Sequence, residues 1–341
     1  MNVSVYFLIG IIAALLCFTI TVLILKKLIP FLKSKKMGQK ILDIGPRWHM
    51  SKEGTPTMGG LSFIISFSVV YILYAVLCFA VSRTVNLTLA ATVVFAILNG
   101  VIGIIDDRAK LMKKANEGLT AWQKYLLQLV LTVIYLLVLR FVCYYHPVLV
   151  IPFTDKVLLN GGFLWYVIMV ILITGIVNSV NLADGIDGLA SGETAAVALY
   201  FIACGLICRH ADAGIAGFIL LGATLGFLVY NFNPARVFMG DTGSLFLGAL
   251  VVGIAIVNQK PLIILFVGFM YVLESISDIL QVGYFKLTHG KRLFKMAPIH
   301  HHFEKCGWSE RKIFTVFTVM TLIFAVIALI FDTKGMIFIS F

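Results

Sequence analysis

The 341 residues are 60% hydrophobic and only 13% charged, with a mean hydropathy of +1.01, whereas an ordinary soluble domain carries about 25% charged residues. That composition excludes a soluble globular enzyme and a disordered chain, and it predicts an all-α polytopic membrane protein. The formal net charge of +11 would point to nucleic acid in a soluble chain; here the Lys and Arg residues report orientation, and no nucleic-acid partner is expected.

Apolar runs of membrane-spanning length (~20 residues) fall near 3–25, 58–81, 86–105, 121–143, 163–180, 193–208, 213–230, 243–257, 261–284 and 313–331, which predicts about ten transmembrane helices. With the N-terminus outside, the inner loops are 26–57, 106–120, 181–192, 231–242 and 285–312. All Lys and Arg except Arg83, Arg140, Lys156, Arg209, Lys260 and Lys334 then lie in those loops or the adjoining helix ends. The bias of basic residues to the cytoplasmic side predicts an N-out, C-out topology. The first run has no basic leader and no small-residue cleavage site, so it reads as a retained helix rather than a signal peptide. Cys17, Cys78, Cys204 and Cys208 sit in apolar runs, Cys306 on the inner side and Cys143 near the outer edge, and without a Cys-x-x-Cys pair they read as small apolar fillers. In the outer stretch 144–162, Val/Leu-rich pieces split by Pro147, Pro152 and Asn160-Gly161-Gly162 predict a short hairpin. With no repeat and no low-complexity tract, residues 1–341 form one integral membrane domain.

The polar residues collect in the inner loops. The first holds Lys52-Glu53-Gly54-Thr55-Pro56-Thr57-Met58-Gly59-Gly60, where small residues would let a ligand approach backbone and Lys52 offers a point charge to phosphate; a solvated basic loop is the bland alternative. Asp106-Asp107 follow Ile104-Ile105 at the expected inner end of the third helix. Adjacent carboxylates beside hydrocarbon are costly, and a helix C-terminus is the wrong end for them. With Arg108, Lys110, Lys113 and Lys114 they make either an ion-pair cluster or a metal or phosphoryl-transfer site. Lys124, one turn into the fourth helix, either snorkels to the interface or holds a lipid phosphate.

Asn181, Asp184 and Asp187 recur every third residue, with Gly185 and Gly188 arguing against an uninterrupted helix. Because this loop carries no Lys or Arg, an ion pair does not explain its acids, and a substrate hydrogen-bonding site or a cation site is favoured over a solvated turn. After Asn231 and Asn233, the break Phe238-Met239-Gly240-Asp241-Thr242-Gly243-Ser244 places one carboxylate where a membrane helix begins. A helix N-terminus attracts phosphate, and a carboxylate beside it suits a hard cation such as Mg²⁺; the alternative is that Asp241 is only an N-cap. Glu274, Asp278 and Gln281 share one face of the ninth helix, as an ion path or a hydrogen-bonding seam. In Lys295–Glu304, three consecutive histidines suggest zinc, but adjacent side chains diverge and the Cys/His spacing of a structural site is missing. Contact with a phosphate-rich ligand fits them better.

Taken in order, Thr55-Pro56-Thr57-Met58-Gly59-Gly60, Asp106-Asp107, Asn181 to Leu189, Asn231-Phe232-Asn233-Pro234-Ala235, Phe238 to Ser244 and Ala297-Pro298-Ile299-His300-His301-His302 resemble the signatures of the polyprenyl-phosphate N-acetylhexosamine-1-phosphate transferases. The first and last of these segments are similar to the phospho-N-acetylmuramoyl-pentapeptide transferase branch, and the resemblance spans nearly the whole chain. It implies transfer of phospho-MurNAc-pentapeptide from UDP-MurNAc-pentapeptide to undecaprenyl phosphate with Mg²⁺. The products would be UMP and lipid I, made for peptidoglycan by a homodimer with its active site on the cytoplasmic face of the bacterial inner membrane. By the same resemblance Asp241 is the Mg²⁺ ligand, Asp106 and Asp107 complete the catalytic group, and Lys124 meets the lipid phosphate. Lys52, Thr57, Asn181, Asp184, Asp187, Asn231, Phe238, Gly240, Gln281, His300, His301 and His302 form the nucleotide and metal neighbourhood, with Phe238 stacking on uracil. Two other readings stand beside this one. A sister transferase would use UDP-GlcNAc; a cation-coupled transporter would employ Glu274 and Asp278, although the concentration of polar residues on one side opposes it.

Overall fold

A computed structural model describes residues 3–35, 54–113, 118–154, 156–208 and 210–332. Inside a bilayer every backbone N–H and C=O must be paired within its own segment, so the long apolar runs become helices. They are α1 (Val3–Ser34), α2 (Leu61–Ser82), α3 (Leu87–Lys113), α4 (Ala121–Phe141), α5 (Phe163–Ala183), α6 (Leu189–Ile207), α7 (Ala211–Asn231) and α8 (Gly240–Val257), followed by α9 (Ile264–Val267), α10 (Phe269–Leu287), α11 (Ile299–Lys305) and α12 (Glu310–Asp332). Between α4 and α5 the predicted hairpin forms: β1 (Val148–Val150) pairs antiparallel with β2 (Val157–Asn160), Leu149 opposite Leu159, with one irregularity before Val150.

Among the described residues nine helices are long and apolar enough to cross a membrane, and the count reaches ten if one bent pair is a single span. That pair is the ninth predicted run. Instead of one straight helix it is a 3₁₀ turn at Pro261–Ile263 running into α9, then α10 at 78° to it. The break falls at Gly268, whose backbone leaves the helical region and whose N–H closes onto the Ile264 carbonyl. Several helices also continue past their apolar runs, α1 to Ser34 and α3 to Lys113, because the i→i−4 ladder does not require apolar side chains. For α3 this matters: Asp106, Asp107 and Lys110 stand on an intact helix rather than in a loop.

Helix α8 is the axis of the molecule. Every residue from Thr242 to Val257 is buried, as expected of a helix apolar all round, and α2, α3, α5, α6 and α7 pack about it. On α1, by contrast, the buried residues Tyr6, Gly10, Ala13, Cys17, Thr21, Leu25, Ile29 and Leu32 form one stripe at three- and four-residue spacing, leaving the rest of the helix outward. Where helices meet α8, small residues let backbones touch. A Cβ at Gly103 of α3 would collide with the Asp241 carbonyl, one at Gly60 with the Gly243 backbone, and one at Gly248 would lie 2.7 Å from Val177 Cα of α5. Two of these three contacts draw α2 and α3 onto the first turn of α8.

Candidate active site

The first N–H groups of α8 have no partner in their own helix, and Met239 at the N-cap supplies none. Asp107 does. Its Oδ1 accepts the Asp241 N–H at 3.1 Å, and its Oδ2 accepts the Thr242 N–H at 2.9 Å and the Thr242 hydroxyl at 2.7 Å. The N-cap alternative for Asp241 is therefore corrected: the cap comes from another helix. Gly103, one turn earlier on α3, is what brings the two helices close enough for that reach. Asp107 is only 3% exposed, yet as a carboxylate at a helix N-terminus it meets a favourable dipole.

Relieved of capping, the Asp241 side chain, 13% exposed, turns to three other residues. Its Oδ2 lies 2.8 Å from Lys110 Nζ and 3.0 Å from Lys124 Nζ, and its Oδ1 accepts from Asn181 Nδ2 at 2.7 Å. Asn181 Nδ2 also donates to Ser244 Oγ at 2.7 Å, and Ser244 donates to the Gly240 carbonyl. Lys110 bridges onward to Asp106, with Nζ 2.7 Å from Oδ2, the i,i+4 partner on the same helix. The other oxygen of Asp106 accepts the Leu119 N–H at 2.7 Å, which ties the entry of α4 to α3. One oxygen from each of Asp106, Asp107 and Asp241 lies within 4.8 Å of the others, the only such potential metal group among the described residues. Two buried carboxylates and a third that is half-buried repel strongly in one place; the ammonium groups of Lys110 and Lys124 offset part of that charge.

Two loops close over this core. Residues 56–60 run beside 237–239: the Phe238 N–H donates to the Pro56 carbonyl at 2.8 Å, and the N–H groups of Gly59 and Gly60 donate to the Phe238 and Met239 carbonyls. Gly240, at φ +69°, lies between Asp107 and Thr57, where a Cβ would be 2.7 Å from Thr57 Oγ1. Only a glycine fits that backbone region so close to a carboxylate. Phe238 itself is half-buried at the edge of the loop.

The glycines of the 184–188 turn end α5 and start α6, as their positions predict, with Gly188 at φ +80°. Asp184 is half-buried at the end of α5. Burial pushes its carboxyl well above the ordinary carboxylate range, and the Asp241, Asp107 and Asp187 carboxylates add to the rise. Asp187 is buried, and its Oδ2 accepts from the Ala235 N–H at 2.9 Å and Asn233 Nδ2 at 3.2 Å. Asn231, also buried, accepts the Gly188 N–H and donates to the Val237 carbonyl. Asp187 and Asn231 thus fasten the turn to the 232–239 loop, and Glu310 of α12 joins them by accepting the Asp187 N–H at 3.2 Å.

The fold brings Asp106, Asp107, Asp241, Lys124, Asn181, Thr57 and Gly240 together at the start of α8, with Asp184, Asp187 and Phe238 on the adjoining loops and Asn231 at the end of α7. Gln281 stands elsewhere: its Oε1 accepts the N–H groups of Leu293 and Phe294, so it secures the chain ahead of α11. The three histidines do not all diverge as their adjacency suggests: the His300 and His301 rings lie against each other, 4.1 Å between centroids at an interplanar angle of 57°, although each of the three has its own partner. His300 pairs with Glu274, His301 with Glu304, and His302 accepts the Lys295 N–H through Nδ1. Lys52 lies outside the described residues. Lys110 is central although sequence reasoning treated it only as a neutralising charge; its i,i+4 spacing from Asp106 was the available signal. Glu310 carried no signal, since its contact crosses from the last helix to a turn in mid-chain.

The chain is also similar to known proteins along most of its length. Residues 89–259 match glycosyl transferase family 4, and residues 52–64 match signature 1 of the phospho-N-acetylmuramoyl-pentapeptide-transferases. A phospho-N-acetylmuramoyl-pentapeptide-transferase of Staphylococcus aureus (strain bovine RF122 / ET3-1) is 44% identical over 93% of this chain and 97% of its own length. Proteins of the same name from Clostridium botulinum (strain Eklund 17B / Type B) and Clostridioides difficile (strain 630) are 43% and 41% identical, covering 89% and 93% of this chain and 90% and 96% of theirs.

Proposed function

The chain belongs to the phospho-N-acetylmuramoyl-pentapeptide transferase family, and we propose that the start of α8 is where it moves phospho-MurNAc-pentapeptide from UDP-MurNAc-pentapeptide to undecaprenyl phosphate. The observation that carries this placement is the division of labour between two aspartates. Asp107 caps α8, so the Asp241 carboxylate is left for two lysines, an asparagine and a cation.

The donor set suits Mg²⁺, which prefers carboxylate oxygens to the nitrogen and sulfur that zinc favours. Asp241 would hold the ion, with Asp106 and Asp107 close by; when bound it neutralises developing charge on the diphosphate. Everything else is work for the chain's own residues. Lys110 and Lys124, already converging on Asp241, bind phosphate oxygens of the donor and of the lipid. A phosphate monoester has its second pKa near 6, so the lipid phosphate is mostly a dianion at neutral pH and needs little help from a base. Its oxygen attacks the β-phosphorus of the donor in line, a new P–O bond forms, and the bond between that phosphorus and the bridging oxygen breaks to release UMP. Positioning and charge then dominate the rate. Asp106 orients: one oxygen holds Lys110 and the other the Leu119 N–H, which favours direct transfer over a phospho-aspartate intermediate. The reading includes a cytoplasmic location for this end of the bundle, one domain over the whole chain, and a homodimer.

The test is UMP release by the purified protein in lipid with undecaprenyl phosphate and each donor in turn, across a Mg²⁺ titration. UDP-MurNAc-pentapeptide should support turnover that EDTA abolishes, and UDP-GlcNAc should not. Equal use of UDP-GlcNAc, or turnover indifferent to EDTA, would overturn the reading, and labelled phosphate on the protein in the absence of lipid would overturn direct transfer.

A further inference from the structure

The buried face of α10 holds a carboxylate that the transfer reaction, as described, does not use. Glu274 is 0% exposed and His300, at the start of α11, is 1% exposed. The imidazole Nδ1 lies 3.0 Å from Glu274 Oε2, and the His300 backbone N–H donates to the same oxygen at 3.4 Å. A buried carboxylate without compensation is costly, and His300 supplies it here. An imidazole whose Nδ1 faces a carboxylate carries its proton there, so Nε2 becomes the working end of the ring. That end has no hydrogen-bond partner among the described residues, and it bears directly on Gly185, where a Cβ would collide with it. Gly185 lies between Asp184, electrostatically coupled to Asp241, and Asp187. The three pieces are also locked by packing: Met270 of α10, Ile299 of α11 and Ile186 of the turn belong to one small apolar cluster.

We propose that Glu274 is a positioning residue of the donor site: it holds the His300 ring so that Nε2 sets the place of the Asp184–Asp187 turn. This rests on the transferase reading above, in which that turn faces the nucleotide sugar. The carboxylate stands behind the imidazole as an outer-shell carboxylate stands behind a metal-ligating histidine, where its loss typically costs ~10- to 100-fold in binding or activity. In that reading the lipid phosphate meets Lys124, the partner of Asp241, rather than this turn, so the effect falls on the donor.

The test compares Glu274→Gln, which keeps the size and one acceptor but removes the charge, with Gly185→Ala, which displaces the ring and leaves the charge. Each should raise KM for UDP-MurNAc-pentapeptide by ~10-fold or more while KM for undecaprenyl phosphate stays at the wild-type value. The double variant should be no worse than the poorer single one, because both act through one ring. ¹⁵N spectra of histidine-labelled protein, with His300 assigned by its loss in His300→Asn, should show the Nδ1-protonated ring of the wild type replaced in Glu274→Gln by a mixture of tautomers. Unchanged His300 signals in Glu274→Gln, or a wild-type donor KM in both variants, would overturn the proposal. A wild-type protein that releases no UMP would instead refute the transferase reading, and the ring spectra would still decide whether Glu274 sets His300.

Discussion

Asp107 and Asp241 lie within one cluster, but exchange for asparagine should separate them by the quantity that changes. Asp107→Asn removes charge-assisted bonds to the α8 N-terminus, worth about 1.5–3 kcal/mol for a bond to a charged group, so thermal unfolding in detergent should move down. Asp241→Asn leaves that cap in place and should lower UMP release by at least ~10²-fold, the equivalent of several kcal/mol of charge stabilisation. Near-wild-type turnover of Asp241→Asn with the same Mg²⁺ dependence would sink its assignment as the metal ligand. Asp184 gives a prediction of opposite sign. Its carboxyl titrates above the ordinary range in the folded protein, so the folded state binds the proton more tightly than the unfolded one. The associated stability is present at low pH and is lost as pH rises from the unfolded value through the folded one. At neutral pH the charge therefore costs stability, and Asp184→Asn should raise the melting temperature of the ligand-free protein, by an amount typical of relieved repulsion, ~0.5–2 kcal/mol. A lower melting temperature at pH 7 would show that the carboxylate is a net asset to the fold.

At the scale of the element, the site depends on how closely α3 approaches α8. Gly103→Ala places a methyl group against the Asp241 carbonyl, and backbone cannot swing aside as a flexible side chain can. Overpacking of this kind costs about 1–3 kcal/mol, and because the helices must part, the Asp107 cap should loosen and turnover fall with it. Gly175→Ala on α5 is the control: a Cβ there meets nothing within 4 Å, so it should keep wild-type activity and melting. Equal behaviour of the two variants would mean that the close approach of α3 does not set the site. The kink at Gly268 belongs to the same scale. It redirects α10 by 78° from α9, which lets the polar side of α10 present Glu274 to α11 and Gln281 to the chain before it.

For the molecule as a whole, the charge distribution makes a statement about the membrane. The end of the bundle that carries the acidic cluster is also the end toward which most Lys and Arg residues fall, and the hairpin of β1 and β2 lies beyond the far ends of α4 and α5. With the six native cysteines replaced, a single cysteine at Ser309 should be shielded from an impermeant thiol reagent in intact cells, and one at Thr154 should react. Labelling at Ser309 but not at Thr154 would invert the orientation and take the site away from cytoplasmic nucleotide sugars.

Composition and hydropathy by themselves determined that the chain is helical and membrane-embedded, because burial of a backbone in lipid leaves few alternatives. The hairpin and the turn at 184–188 were equally legible, since Pro and Gly restrict or free φ wherever they stand. The order of polar motifs likewise pointed to the family and gathered most of the candidate residues into a few loops. What a one-dimensional reading could not decide was which carboxylate does what. Asp241 looked like a cap because it begins a helix, yet the cap comes from Asp107, over a hundred positions earlier in the chain. Lys110 became central only when α3 and α8 touched at Gly103, and Glu274 met His300 only after the chain had turned between α10 and α11. Each is a contact distant in sequence, fixed by how closely two backbones pack, and packing distance is a property of the fold that no local pattern of residues encodes.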